Sequence, residues 1–269
     1  MRAVFLSLGF AMDMRLKGKS ALVCGGSGGI GLACAKALAE EGVAIVIVGR
    51  DRSRLDKALI ALAGVGEEAR AVSVDMSSPV AVATLLDVIE EVDILLTNPG
   101  GSPTADILGA GEAWSKGIEQ FVAQPMAIVE AYLAGMRARR FGRVINITSS
   151  AFAFASPGLA FSGALRAALT HTAANLARRI AADGVTVNNI APGPVESDGL
   201  HEFLQRMARE QNISVAEARA LRLKDTPTQR FADPAEIGRM AVFLASPHAA
   251  SLTGRTMLMD GGANPYPFL

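Results

Sequence analysis

The chain has 269 residues, half of them apolar, and its 26 basic and 26 acidic side chains cancel. That length supports one large core and leaves little room for a second full domain, so we expect a single domain. The balanced charge, with no Lys/Arg block, argues against a nucleic-acid-binding protein and favours small-molecule ligands.

Cysteine use and the first residues indicate the compartment. Cys24 and Cys34 are the only cysteines and lack the spacing of a disulfide scaffold or a metal site, which indicates buried thiols in a reducing, cytoplasmic environment. Residues 1–14 include a short apolar run similar to an export signal, but no Ala-x-Ala site follows, and the run is too short to span a bilayer. We interpret 1–14 as a disordered tail or a start assigned too early, and expect no membrane association.

From residue 15 onward, short runs of Val, Ile and Leu alternate with longer Ala-rich amphipathic stretches, the pattern of an α/β domain with a parallel sheet. The apolar runs are nearly continuous, as in strands that helices cover on both faces. Seven strands are predicted, over residues 20–26, 44–50, 70–76, 92–98, 142–149, 184–193 and 255–262. Long helices are predicted over 112–138 and 162–183. The more polar residues 197–232 are predicted to form a helical substrate lid within a single domain of residues 15–269.

The first predicted strand runs into CGGSGGIG, residues 24–31, and then into a helix. Gly25, Gly29 and Gly31 would let the backbone approach a pyrophosphate and aim a helix N-terminus at it. A plain tight turn uses the same residues, but their place at the first strand-to-helix turn favours nucleotide binding in a Rossmann-type, doubly wound sheet.

The exit of the second strand bears on the choice of cofactor. Arg50 stands there, followed by Asp51. An arginine suits a ribose 2′-phosphate, which an acid would repel, so NADP is favoured over NAD. The alternative is an ordinary solvated loop arginine.

Several motifs together resemble the short-chain dehydrogenase/reductase family, in its classical 3-oxoacyl-(acyl-carrier-protein) reductase-like branch. They are CGGSGGIG, VDM at 74–76, TNPG at 97–100, INITSS at 145–150 and NNIAPGPVES at 188–197, and the resemblance spans about residues 15–262. It implies a diphosphate at the glycine turn, adenosine beside the third and fourth strands, and nicotinamide after the sixth. The residues implied are Gly25, Ser27 and Ile30; Asp75, Met76, Asn98 and Gly100; and Pro192, Gly193, Val195 and Ser197.

The resemblance is weaker at the reaction centre. Family members use a Tyr as proton donor, a Lys four residues later, an orienting Ser and a supporting Asn. Ser149 matches the orienting serine, but Ser162 stands at the Tyr position, Arg166 at the Lys position and Phe121 at the Asn position.

These replacements matter chemically. A phenol, with a pKa of about 10, can be brought toward neutrality by a nearby cation, whereas an aliphatic hydroxyl near water's ~15.7 cannot. Ser162 is therefore a poor proton donor. Arg166 keeps a positive charge and is expected to hold the nicotinamide ribose, but it will not shuttle protons at ordinary pH. The alternatives are a turn-capping Ser149, a Ser162 that is only a helix N-cap, and a solvated Arg166.

Other candidate acids are few. His201 lies in the predicted lid and could supply a proton, although a solvated helix surface is the alternative. His171 is about 140° round the helix from Arg166 and is predicted to lie at a surface or subunit interface. Tyr132 and Tyr266 are the only tyrosines, and neither has a Lys four residues on.

Three functions remain open. The first is an NADP(H)-dependent oxidoreductase acting on a carbonyl or alcohol, as the breadth of the resemblance implies. FAFASPGLAF at 152–161 supplies apolar bulk consistent with an apolar substrate, and core packing is the equal alternative. The second is an inactive NADP(H) sensor or partner subunit, and the third a non-redox enzyme on the same scaffold. The resemblance also implies a homodimer or homotetramer assembled through the two long helices.

Overall fold

A computed structural model describes residues 12–101, 107–109, 111–155 and 157–265. Within them, seven parallel strands form one sheet in the order β3-β2-β1-β4-β5-β6-β7, which confirms the predicted fold class. The strands are β1 Ser20–Cys24, β2 Ala44–Gly49, β3 Arg70–Ser73, β4 Ile94–Thr97, β5 Gly142–Ile147, β6 Val185–Pro192 and β7 Thr256–Met259. Every strand is shorter than predicted.

Nine α-helices lie in the described ranges. They are α1 Gly29–Glu40, α2 Arg52–Leu62, α3 Ala81–Val88, α4 Gly111–Ile118, α5 Gln124–Ala138, α6 Ala160–Ile180, α7 Asp198–Gln211, α8 Val215–Lys224 and α9 Pro234–Ala245. None of these helices combines the length and the apolar character that crossing a membrane requires. The predicted helix 112–138 is divided by a π-helical turn at Glu119–Ala123, and the helix predicted from residue 162 begins two residues earlier.

Alternating side chains of the strands build two cores, one on each face of the sheet. In β1, Ala21 and Val23 face the core formed with α1, α2 and α9, whereas Leu22 and Cys24 face the core formed with α3, α5 and α6. Helices α1 and α9 approach closely because Gly238 has no side chain: a Cβ there would lie 2.7 Å from the carbonyl oxygen of Ala33.

The first described residues of the chain contact the body of the domain. Of the residues assigned to a tail, Met14 packs against the first core, and the carbonyl oxygen of Asp13 lies 2.9 Å from His248 Nε2. Residues 1–11 and Tyr266 lie outside the described residues.

Within residues 197–232, α7 and α8 pack on a small core of their own, formed by Leu204, Ala208, Ala218 and Phe231.

Candidate active site

The strand order reverses between β1 and β4, so a cleft opens at the carboxyl ends of these two strands. Gly25 follows β1 with a left-handed φ of +73°, and a Cβ there would lie 2.3 Å from the carbonyl oxygen of Asn98, just after β4. A Cβ on Gly31 would lie 2.1 Å from the carbonyl oxygen of Gly25. Both positions require glycine, because nothing larger fits between these backbones.

Helix α1 begins at the floor of this cleft. Its N-cap is Gly28, and within the described residues no side chain caps its first turn. The exposed amides of a helix N-terminus bind anions, and the glycines beside them leave room for a diphosphate. The turn is therefore shaped to hold a dinucleotide, and the predicted residues Ser27, Gly29 and Ile30 lie within it.

The predicted adenosine side lies at the ends of β2 and β3. Arg50 is exposed, and the Asp51 carboxylate accepts a hydrogen bond from the backbone N–H of Arg54 (3.1 Å), so it serves as the N-cap of α2. Asp75 accepts hydrogen bonds from the N–H and the hydroxyl of Ser77. These bonds, with the nearby charge of Arg50, lower the pKa of Asp75.

The remaining predicted adenosine residues differ in exposure. Met76 packs against the core on the second face of the sheet, and Gly100 is exposed. Asn98 Nδ2 lies 3.5 Å from the Gly25 carbonyl oxygen, which links the loop after β4 to the glycine turn.

The loop after β6 forms the opposite wall. Pro192 ends β6, and a Cβ on Gly193 would lie 2.9 Å from Cα of Asp260. The Ser197 hydroxyl donates to the Val195 carbonyl oxygen (3.1 Å) and caps α7. A Cβ on Gly29 would lie 3.6 Å from Cβ of Ser197, so this loop reaches the glycine turn.

Ser149 lies just beyond β5, half-buried at the same edge of the sheet. Its Oγ accepts a hydrogen bond from the backbone N–H of Ala151 (3.2 Å) and so caps a short 3₁₀ turn at Ser150–Phe152. The turn-capping alternative is therefore correct as to local structure. It does not exclude a role in the site, because accepting this bond leaves the hydroxyl proton of Ser149 available for donation.

The N-cap interpretation of Ser162 is wrong. Helix α6 begins at Ala160 with Leu159 as its N-cap, and Ser162 is buried inside the first turn. The solvated alternative for Arg166 is also wrong, since only 7% of the residue is exposed. Arg166 Nη1 donates to the carbonyl oxygen of Ile147, the last residue of β5, at 3.0 Å.

Arg166 and Phe121 contact each other directly. The guanidinium carbon lies 4.7 Å from the centroid of the Phe121 ring, and Arg166 Nε is buried without a hydrogen-bond partner among the described residues. Burial lowers the pKa of Arg166 to about 10, and no carboxylate in the described part of the chain offsets that effect. Arg166 therefore stays charged at neutral pH and is stabilised by an aromatic face and one backbone carbonyl.

Phe121 lies within the π-helical turn at Glu119–Ala123. One extra residue in a turn rotates the side chains that follow, and such turns often occur at functional sites. Phe121 packs with Phe161 and Leu165 of α6, and the rings of Trp114 and Phe161 lie 4.5 Å apart between centroids. The residue pattern gave no signal of this turn.

The other candidate groups differ in exposure. His201 is exposed on α7, with its Nε2 2.8 Å from Gln205 Nε2, and His171 is exposed on α6. Tyr132 is buried in the second core, where burial raises its pKa to about 12. Burial also raises the pKa of Cys24 to about 12, so this free thiol at the end of β1 stays neutral.

Comparison with known proteins shows the family. A profile described as Enoyl-(Acyl carrier protein) reductase matches residues 25–264. The 3-oxoacyl-(acyl-carrier-protein) reductase FabG of Vibrio cholerae is 33% identical over 254 residues, covering 93% of this chain and 98% of that protein. The chain belongs to the short-chain dehydrogenase/reductase family, as its motifs predicted.

Solved structures agree. A structure described as a short chain dehydrogenase/reductase family protein is 35% identical, with a TM-score of 0.80, and the match covers 93% of this chain and 99% of that one. The L-sorbose reductase of Gluconobacter frateurii, solved with NADPH and L-sorbose, is 29% identical, with a TM-score of 0.86 and coverage of 94% and 98%.

Proposed function

We propose that this protein is an NADP(H)-dependent oxidoreductase that acts on a carbonyl or alcohol substrate through a nonstandard active site. The observation that carries the proposal is the glycine turn at the β1–β4 switch point, where Gly25 and Gly31 leave no space for a side chain. When bound, the cofactor would supply a hydride to the carbonyl carbon or accept one from the alcohol. The NADPH named with L-sorbose reductase supports the same cofactor here.

The residues present fit this cofactor. The amides of residues 27–31 would hold the diphosphate, and Arg50 and Asp75 would lie beside the adenosine. The Asp51 carboxylate is engaged as the N-cap of α2, which leaves the exposed Arg50 available to meet a ribose substituent. This arrangement favours a 2′-phosphate, and hence NADP over NAD.

The reaction would depend on Ser149 and on a proton source other than a tyrosine. The Ser149 hydroxyl would orient the substrate oxygen, while Ser162, an aliphatic alcohol, would not donate a proton to the developing alkoxide. A water molecule or His201 would supply that proton. Arg166 Nη1 is already hydrogen-bonded to the carbonyl oxygen of Ile147, so Nη2 is the terminal nitrogen that would contact the nicotinamide ribose.

A second candidate is an NADP(H)-binding protein without reductase activity. The contact of Arg166 with Phe121 and Ile147 favours it, because this contact withdraws part of the guanidinium from the cleft. Cofactor binding does not separate the two candidates, since both require it.

The test is NADPH oxidation, followed by absorbance, with a panel of ketones, diketones and 3-oxoacyl thioesters. We expect saturable NADPH binding and slow, substrate-dependent oxidation that Ser149→Ala removes. Tight binding with no turnover on any substrate would favour the second candidate, and no binding of NADPH or NADH would contradict both.

We also propose assembly as a homodimer or homotetramer through α5 and α6. The small exposed residues Ala134, Ala164 and Ala168 on these helices would allow close helix packing. Light scattering coupled to size exclusion gives the mass, and a monomer at micromolar concentration would contradict this proposal.

A further inference from the structure

A guanidinium group fills the space beside the N-cap of α1. A Cβ on Gly28 would lie 2.9 Å from Arg54 Nη2, so the side chain of Arg54 occupies the volume that a side chain at position 28 would take. Arg54 is the third residue of α2, and the Asp51 cap binds its backbone N–H. The sequence alone gave no reason to choose Arg54 among the arginines of this segment.

Arg54 also reaches the opposite wall of the cleft. Its Nη2 lies 3.5 Å from Oδ2 of Asp198, the first residue of α7, and the two side chains are 51% and 83% exposed. A charge-assisted hydrogen bond is shorter than this, and exposed pairs of this kind contribute little to stability. An anion that binds Arg54 more strongly can therefore replace Asp198 at little energetic cost.

The neighbouring arginine of the same helix is already paired. Arg52 Nε lies 2.9 Å from Oδ1 of Asp56, one turn along α2. Arg52 and Arg54 thus have the same side chain on the same helix, but in the described part of the chain Arg54 alone of the two lies against the glycine turn. This difference makes Arg52 a matched control.

We propose that Arg54 is a phosphate ligand of the bound dinucleotide, and that the phosphate displaces Asp198 from it. The inference rests on the proposed function, since it requires a dinucleotide at the glycine turn. A guanidinium beside the N-terminus of α1 adds a full charge and paired N–H donors to the weaker field of the helix. Arg54 would bind either the diphosphate or the 2′-phosphate of the dinucleotide.

The test is a fluorescence titration of wild type, Arg54→Gln and Arg52→Gln with NADPH and with NADH. Loss of one charge-assisted contact weakens binding about tenfold, so Arg54→Gln should raise the Kd by that factor and Arg52→Gln by less than about twofold. A loss confined to NADPH assigns Arg54 to the 2′-phosphate, and an equal loss for both assigns it to the diphosphate.

Asp198→Asn provides the reciprocal test. Removing the competing carboxylate should tighten NADPH binding by about twofold to threefold in the wild-type background and leave it unchanged in Arg54→Gln. Because both side chains are exposed, unfolding temperatures should match wild type. If wild type binds NADPH and Arg54→Gln binds it equally well, the inference is wrong while the proposed function stands. If wild type binds neither nucleotide, the proposed function itself fails.

Discussion

Replacing Arg166 with Met tests whether this buried cation contributes to folding. Methionine keeps an unbranched stem of similar length and can pack against the Phe121 ring, but it carries no charge. At neutral pH, Arg166→Met should change the free energy of unfolding by no more than about 1 kcal/mol, because the terms that it removes nearly cancel.

The magnitude follows from the contacts of the guanidinium. Lowering the pKa of Arg166 to about 10 by burial corresponds to an unfavourable term of about 3 kcal/mol, and the unpaired Nε adds about 1 kcal/mol. Two favourable terms offset these costs: about 2 kcal/mol for a desolvated cation–π contact with Phe121 and about 2 kcal/mol for the charged hydrogen bond to Ile147. Truncation to alanine would instead leave a cavity and cost about 2 kcal/mol or more.

Urea unfolding at pH 7.5 measures these differences, with Arg166→Ala as the cavity control. The pH dependence has a defined sign: the unfolded state holds the Arg166 proton more tightly than the folded state, so wild type should gain stability relative to Arg166→Met as pH rises through about 10. A loss of about 3 kcal/mol or more in Arg166→Met at pH 7.5 would refute this accounting, because it would require a stabilising partner beyond the ring and the carbonyl.

Three further tests, with four variants, address the two halves of the site. Gly31→Ala should abolish NADPH binding in a fluorescence titration, since its Cβ would lie 2.1 Å from the carbonyl oxygen of Gly25. Retained wild-type affinity would contradict the binding of the diphosphate at the glycine turn. Ser149→Ala should remove substrate-dependent NADPH oxidation and Ser162→Ala should not, and the opposite result would make Ser162 the reacting hydroxyl. Combining Ser162→Tyr and Arg166→Lys with Phe121→Asn should raise the rate on a generic diketone by about tenfold or more, as restored general acids typically contribute. No gain in a folded triple variant would argue that these positions do not line the reaction centre.

Much of the fold could be predicted from the sequence because it depends on local patterns. The continuous apolar runs predicted buried parallel strands, and the glycine cluster at the first crossover predicted where the cleft opens. The contacts of Gly25 and Gly31 with facing backbones show why that cluster cannot tolerate side chains.

The missing features depend on tertiary contacts. A π-helical turn shifts hydrogen bonds by one residue without changing composition, so the stacking of Phe121 on Arg166 left no pattern in the sequence. The role of Arg54 depends on its approach to Gly28, which lies 26 positions earlier in the chain. The helix predicted from residue 162 begins at Ala160 with Leu159 as its N-cap, so the preference of serine for N-cap positions is misleading at Ser162.

The central claim is that the phosphates of a dinucleotide bind the amides of the turn that follows Cys24. A crystal structure of the protein grown with saturating NADPH tests it most directly. We expect the diphosphate oxygens about 3 Å from the backbone nitrogens of residues 27–31. NADPH density at another place, or a glycine turn closed against the cofactor at saturation, would contradict the claim.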